Sequence, residues 1–301
     1  MAKEITMPTT PNFLSSEFSL VRTIGNSISP FTGQQKTQEF DNVFWQCQVT
    51  LPPMNKTTAV NWQSFLSRLK GTTNVFQFTD PDALTNTGTY DADDLKANAR
   101  ISDTSTTLTF SGSTITSSDS VFTNARVGDY FVVTGAGNEP NNGTHKITTK
   151  TSATVVVVDS LLTAESSTSG CKVQQNIKGA QGLSLQATSN SAAGSIVVGD
   201  YLGILSGTAT TNQPVQLVLV TETATETSGS PNEFAVGIEP KLRSDLADNT
   251  LVKFASPKGL FRLQSNEISW SADRNSIYSC LLYTSDAADD MQCVDLGGRR
   301  I

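Results

Sequence analysis

The chain contains a single histidine, His145, so any catalytic site built on an imidazole has to use it. A Ser-His-Asp or Cys-His arrangement would need this side chain as its base. His145 follows the segment 142–144 on the arm of a predicted hairpin, with Lys146 directly after it. This setting favours an exposed strand residue over a catalytic base. No second histidine or cysteine stands near it in the sequence, which also disfavours a metal site.

Pairs of carboxylates are the other residues that can do chemistry, because two of them suffice for glycoside hydrolysis. The candidate pairs are Asp119 with Asp129 and Glu222 with Glu226. Glu222 and Glu226 fall in a predicted polar hairpin connection. Asp129 and Asp200 each follow a Val-Gly pair, so we expect them to accept N–H groups of a turn. The pattern therefore predicts no catalytic, cofactor-binding or metal residues, and it leaves any ligand-binding residues unassigned.

Three further patterns are weak signals for a site. The acidic segment 91–94 (Asp-Ala-Asp-Asp) invites a calcium interpretation, but it lacks the ligand spacing of an EF-hand and favours a solvated turn. The glycines of segment 135–137 lack the spacing of a phosphate loop or a dinucleotide-binding motif. Cys47 and Cys171 stand far apart in the sequence, without metal-ligand spacing.

Residues 56–70 are predicted to form an amphipathic helix. Its apolar residues recur at three- and four-residue steps and therefore share one face. They are Ala59, Trp62, Phe65, Leu66 and Leu69. Either Asn55 or Thr57 can cap the N-terminus, and Gly71 supplies the positive φ that commonly follows a last turn.

Strands are predicted on both sides of this helix, at 44–51 and 75–78, and together they form the nucleus of a core. Pro52 and Pro53 end the first strand, because proline brings no N–H to a ladder. Four aromatic residues of this stretch can in principle form a sugar-binding platform, but their registers favour core packing. They are Trp45, Trp62, Phe65 and Phe76.

This stretch resembles a family of tailed-bacteriophage virion proteins of the tail or tail tip. The resembling residues of the first block are Trp45, 49–54 (Val-Thr-Leu-Pro-Pro-Met), Trp62, Phe65, Leu66, 69–71, 76–78, Asp80 and Pro81. A second block comprises 198–201 and 238–243. The resemblance implies a structural protein of the virion that is made in the bacterial cytoplasm, has no enzymatic activity or cofactor, and assembles with copies of itself and with other tail proteins.

Composition agrees with a β-rich protein of this kind. Charged residues make up 16% of the 301 residues and hydrophobic residues 37%. The formal charge is -7 and no basic run occurs, which argues against nucleic-acid binding. No apolar run approaches the ~20 residues that span a bilayer. Residues 1–20 lack the apolar core of a signal peptide, so we expect a protein kept inside a cell or assembled there into a particle.

The spacing of short strands predicts a mainly β fold with two parts. A β-sandwich or barrel-like tail domain is expected from 1–96 and 176–279, and a small inserted β-barrel or β-sandwich module from 97–175. Such a module decorates a particle or binds a partner, so the alternative function is recognition of a host-surface glycan through it. The tetrapeptide Val-Gly-Asp-Tyr occurs at 127–130 and 198–201, which indicates one turn used twice rather than a duplicated domain.

Both ends of the chain are expected to differ from its middle. Residues 1–43 are polar and interrupted by proline and glycine, and predict an extended arm with one early strand at 18–24. Residues 280–301 resemble translated sequencing-adapter DNA, although a genuine disordered tail is the alternative. If they are non-native, then Cys280 and Cys293 are too, and a missing final strand leaves a sheet edge unpaired.

Overall fold

The protein is mainly β, as predicted, and is described here from a computed structural model. The structure describes residues 2–81, 85–92, 94–189, 194–206, 213–227, 231–267, 271–272, 278–279 and 281–286. Within these ranges there is one α-helix, and no helix combines the length and apolar character needed to cross a membrane.

The elements are numbered in chain order. The first are β1 (Ser15–Ile28), β2 (Gln35–Thr50), α1 (Lys56–Leu69), β3 (Phe76–Phe78) and β4 (Asp94–Ala97). The next are β5 (Ser102–Ser111), β6 (Thr114–Ser117), β7 (Tyr130–Thr134), β8 (Gly143–Lys150), β9 (Val155–Val158) and β10 (Glu165–Gln174), with a 3₁₀ turn at Glu139–Asn141. The last are β11 (Gly182–Ala187), β12 (Tyr201–Ser206), β13 (Gln213–Thr227), β14 (Glu233–Glu239), β15 (Leu251–Lys253), β16 (Gly259–Leu263), β17 (Ser271–Ala272), β18 (Tyr278–Ser279) and β19 (Leu281–Asp286).

The chain divides into two compact units. One comprises 1–19, 44–76 and 261–301, and the other comprises 20–43 and 77–260. This division is drawn at different residues from the predicted tail domain and inserted module, whose limits stay predictions.

The helix of the first unit forms where its apolar spacing predicts. The Asn55 side chain caps it by accepting the Thr58 N–H at 3.0 Å. The helix ends at Leu69, and both Lys70 (φ 52°) and Gly71 (φ 63°) are left-handed, so the chain reverses over two residues rather than at the glycine alone.

The aromatic residues around this helix form a core, as predicted. Trp62 and Phe65 meet edge to face with centroids 5.8 Å apart, and Phe65 meets Phe76 at 5.4 Å. Trp45, Trp62, Phe65 and Phe76 are all buried. No face of these rings is open enough to serve as a sugar platform, because each is at most 3% exposed.

A five-stranded sheet runs in the order β1-β2-β19-β16-β3. β19 pairs with β2 on one side, with Tyr283 opposite Gln48, and with β16 on the other, with Thr284 opposite Leu263. The edge that was expected to lack a partner is therefore filled by residues 281–286. The non-native origin of 280–301 stays a prediction, and Cys280 and residues 287–301, with Cys293, lie outside the described residues.

The second unit contains two closed six-stranded barrels. The inserted barrel consists of β5 to β10, and all of its strands lie within the predicted range 97–175. The host barrel consists of β4 and β11 to β15, so the inserted barrel interrupts it between its first and second strands. Each barrel has its own core, around Phe110 and Phe131 in the inserted barrel and around Leu202 and Phe234 in the host barrel.

The two barrels have the same connectivity. When the strands of each barrel are numbered along the chain, both close in the cyclic order 1-2-5-4-3-6. In both, the Val-Gly-Asp-Tyr turn precedes the third strand, with Gly128 at φ 93° and Gly199 at φ 92°. Equivalent backbone bonds follow, from Ile147 N–H to the Asp129 carbonyl and from Val220 N–H to the Asp200 carbonyl, each 2.8 Å long. The likeness is therefore not limited to the turn, contrary to the expectation from the sequence.

Candidate assembly surface

The N-terminal arm is more regular than its polar sequence suggests. β1 and β2 are adjacent strands joined by a short turn, and residues 35–43 of the arm, for which no strand was predicted, belong to β2. In the turn, Ser29 N–H donates to the Gln34 carbonyl and Gly33 N–H donates to the Ser29 carbonyl, both at 2.9 Å. Gly33 has φ 68°, a conformation that glycine adopts without strain. We call residues 22–42 the hairpin tip.

The hairpin tip exposes large apolar side chains. Phe31 is 96% exposed, Ile28 64% and Ile24 51%, and Phe40 is also exposed. Ile24 and Ile28 lie on the same face of β1, because side chains alternate along a strand. None of the described side chains of the tip is buried. Single exposed apolar residues are ordinary, but several on one short hairpin are typical of a contact surface.

The tip is attached to the rest of its unit through arginines. Arg22 forms an ion pair with Glu239 of the host barrel at 3.3 Å. Arg243 donates to the carbonyl of Val43 at 3.4 Å. The side chain of Glu239 is only 15% exposed, so this end of the hairpin is seated while the turn and its apolar side chains stand in solvent.

The two barrels meet at a polar cluster that includes one of the candidate carboxylates. Tyr130 of the inserted barrel donates to Glu222 of the host barrel at 3.0 Å, and Lys146 forms an ion pair with the same carboxylate. Lys146 also lies over the Tyr130 ring, 5.3 Å from its centroid. The hydrogen bond from Lys146 lowers the pKa of Glu222, and burial raises the pKa of Tyr130 to about 12.

Glu222 was predicted to lie in a polar hairpin connection, but it lies within β13. The full length of β13 was not predicted because the strand continues far past its apolar part, through alternating threonine and glutamate residues. The side chain of Glu226 lies outside the described residues. Glu222 joins the barrels, which is a structural use of a carboxylate.

Asp119 and Asp129, the other candidate pair, are each held by separate groups. Asp119 accepts hydrogen bonds from the hydroxyls of Thr106 and Ser118, both at 3.0 Å. Asp129 is fully buried and pairs with Arg100, whose Nε lies 3.2 Å from a carboxylate oxygen. Asp129 also accepts the Arg126 N–H at 2.8 Å, which confirms its predicted role in the turn.

His145 is buried, so the prediction of an exposed strand residue is wrong. Its Nε2 lies 2.9 Å from the Asn141 carbonyl and its Nδ1 lies 2.8 Å from the Ser160 hydroxyl. A carbonyl only accepts, so Nε2 carries the proton and Nδ1 accepts from Ser160. Burial lowers the pKa of His145, so the ring is neutral at pH 7. The imidazole ties β8 to the 3₁₀ turn and to the end of β9.

The remaining candidate residues have structural partners or lie outside the described residues. Asp94 of the acidic segment pairs with Lys253 at 2.6 Å, and Asp93 is not described. Cys47 and Cys171 are buried free thiols. Among the residues that the structure describes, no group of three or more histidine, cysteine or acidic side chains is placed to hold a metal ion.

The hairpin tip is the feature that sequence reasoning missed. The available signal was Phe31 beside Pro30 and Gly33, an aromatic residue in a turn where polar residues are usual. No protein-family model matches the chain, and no curated protein matches it.

Proposed function

We propose that this chain is a structural subunit of a phage tail or tail tip that works by assembling with copies of itself and with other tail proteins. The observation that carries the proposal is the exposed apolar hairpin tip. A subunit that acts alone gains nothing from four large apolar side chains in water, whereas an assembling subunit buries them against a neighbour.

The contrast with the barrels supports this use of the hairpin. A closed barrel leaves no free strand edges, so the two barrels make a body with little tendency to pair with other sheets. β1, in contrast, is the edge of its sheet and runs for 14 residues. The protein thus combines a closed body with one long hairpin that is available for contacts.

The test is the oligomeric state of the full chain and of variants. We expect wild-type protein to form rings or other defined oligomers, measured by light scattering and negative-stain imaging over a range of concentrations. The double variant I28S/F31S should shift the population to monomers, because it removes the most exposed apolar side chains of the tip. Leu161→Ser is the matched control, since Leu161 is 84% exposed but lies in the inserted barrel's segment between β9 and β10.

A wild-type chain that stays monomeric at high concentration would count against self-assembly. Equal loss of oligomers in I28S/F31S and in Leu161→Ser would instead remove the special role of the hairpin and leave assembly in place. Far-UV circular dichroism of each variant separates a lost contact from a lost fold.

One observation favours the alternative function, glycan recognition by the inserted barrel. An open cavity of about 330 Å³ lies where this barrel meets segments that follow it, and polar side chains line part of it. This volume is at the lower end of the range for small-ligand sites.

A further inference from the structure

The cavity has walls from both sides of the barrel junction. The inserted barrel contributes the end of β7 and the start of β8, including Gly135, Asn142 and Gly143. The host side contributes the segment 178–179 before β11 and Lys241 after β14. Gly143 and Gly179 have positive φ and open space where a side chain would lie, so the cavity stays accessible at these two points.

The loop that forms one wall is held in place by its own hydrogen bonds. The amide of Asn142 bridges both backbone groups of Ala136, accepting its N–H at 2.9 Å and donating to its carbonyl at 3.1 Å. The carboxylate of Glu165 accepts the N–H groups of Gly137 and Asn138 at 2.7 and 3.1 Å.

Glu165 also fastens the loop through side chains. It accepts from the Asn141 amide at 2.9 Å and from the Thr168 hydroxyl. These bonds, led by that from Thr168, lower the pKa of Glu165 to about 2. The loop is therefore ordered before any ligand arrives, which spares a ligand the entropy cost of ordering it.

The charged side chains that line the cavity are positive in sum. Lys178 and Lys241 line it, against the single carboxylate of Glu139. The Lys178 ammonium has no ion-pair partner among the described residues, and neither has the Glu139 carboxylate. An exposed cavity with this lining suits a ligand that brings its own carboxylate to the lysines and hydroxyl donors to Glu139.

We propose that the cavity between the inserted barrel and the segments at 178–179 and 241 binds a saccharide unit that carries a carboxylate, a uronic acid. The inference deepens the alternative function, glycan recognition, and does not depend on assembly. The carboxylate lies against Lys178 and Lys241, and the hydroxyls meet Glu139 and the exposed backbone of the glycines.

The experiment is a titration of the full ¹⁵N-labelled chain with glucuronic acid, followed by amide chemical shifts. Glucose is the neutral control, because it has the same ring without the carboxylate. We expect saturable shifts at Gly135, Gly143 and Gly179 with glucuronic acid and weaker ones with glucose.

Lys178→Gln and Lys241→Gln should each raise the Kd for glucuronic acid about two- to fivefold, as for partly exposed ion pairs. Lys258→Gln, an exposed lysine just before β16 that does not line the cavity, should leave it unchanged.

The outcomes separate the parts of the inference. Equal shifts with glucose and glucuronic acid, unaffected by the lysine variants, would overturn the carboxylate assignment but keep glycan recognition. The absence of shifts at the three glycines with either sugar would overturn both. In neither case would the oligomeric state of the chain be affected.

Discussion

The inserted barrel and the host barrel use the same Val-Gly-Asp-Tyr turn, yet the aspartates of the two turns bind different groups. In both turns the carboxylate accepts the N–H three residues before it, from Arg126 in one and from Val197 in the other, each at 2.8 Å. Asp129 then pairs with the guanidinium of Arg100. The other hydrogen bonds of Asp200 come instead from neutral donors, the N–H and hydroxyl of Thr87 and the N–H of Gly88.

These partners show which segment of the chain each aspartate contacts beyond its own turn. Arg100 belongs to the segment that leads from β4 into the inserted barrel. Residues 87–88 belong to the segment that leads into the host barrel. In each barrel the aspartate of the turn therefore binds the segment that leads into that barrel. The residues of this segment determine whether the contact is an ion pair or a set of neutral hydrogen bonds.

The tyrosines that follow the two aspartates each donate to a different carboxylate. Tyr130 donates to Glu222 and Tyr201 donates to Asp80, at 3.0 and 3.2 Å, and burial raises the pKa of both phenols. The ring of Tyr130 lies so close to Gly182 that a Cβ there would overlap it. The same turn thus provides two attachment points, one through its carboxylate and one through its phenol.

The largest effect is expected at Asp129, because its removal leaves a buried cation. Arg100 is 4% exposed and Asp129 is fully buried. Asp129→Asn should cost about 3–5 kcal/mol of unfolding free energy, as for other broken buried pairs. Urea unfolding measures the loss, with Asp159→Asn as a control because Asp159 is exposed.

A double variant tests the physical reason for that loss. R100M/D129L removes both charges and should be more stable than Asp129→Asn alone. Glu233 lies 3.4 Å from another nitrogen of Arg100. If Asp129→Asn lost less than about 1 kcal/mol, Glu233 would be neutralising Arg100 by itself, and the buried pair would not distinguish the barrels.

A smaller effect is expected at Asp200, where no buried cation is left behind. Asp200→Asn keeps one acceptor oxygen for the N–H groups of Thr87 and Gly88, and we expect a loss of about 1–3 kcal/mol. Hydrogen exchange at Leu202 and Val220 should report it, with Phe131 as the reference in the inserted barrel. A loss as large as that of Asp129→Asn would mean that the carboxylate charge matters more than the identity of its partner.

Local features of this fold could be predicted from the sequence. The helix needs only apolar spacing, a cap at Asn55 and Gly71, all within one short stretch. The roles of Asp129 and Asp200 in their turns are also local, because the N–H groups that they accept lie three residues away. Burial of Trp62 and Phe65 follows from their positions on one helix face.

Features that depend on distant residues could not be predicted. The burial of His145 depends on Ser160 and on the 3₁₀ turn packing around it. The position of Glu222 depends on a strand that continues by pairing with β14, and its partners Tyr130 and Lys146 come from the other barrel. The strand order that the two barrels share could not be predicted because the inserted barrel separates β4 from β11 in the sequence.

The smallest effect concerns pH, and it sharpens the comparison because the only histidine lies in the inserted barrel. Burial lowers the pKa of His145 below its ordinary value of 6.5. Below pH 6.5 the unfolded chain therefore binds a proton that the folded chain does not, and stability falls as pH falls, by at most about 1.4 kcal/mol per pH unit. Hydrogen exchange between pH 7.5 and about 5.5 should show this loss at Ile147 but not at Val220, after correction for the intrinsic exchange rate.

His145→Gln, which keeps a hydrogen-bonding side chain without the titration, should remove the slope of stability against pH at Ile147. An equal slope at Val220 in wild type, or an unchanged slope at Ile147 in the variant, would show that other groups titrate in this range.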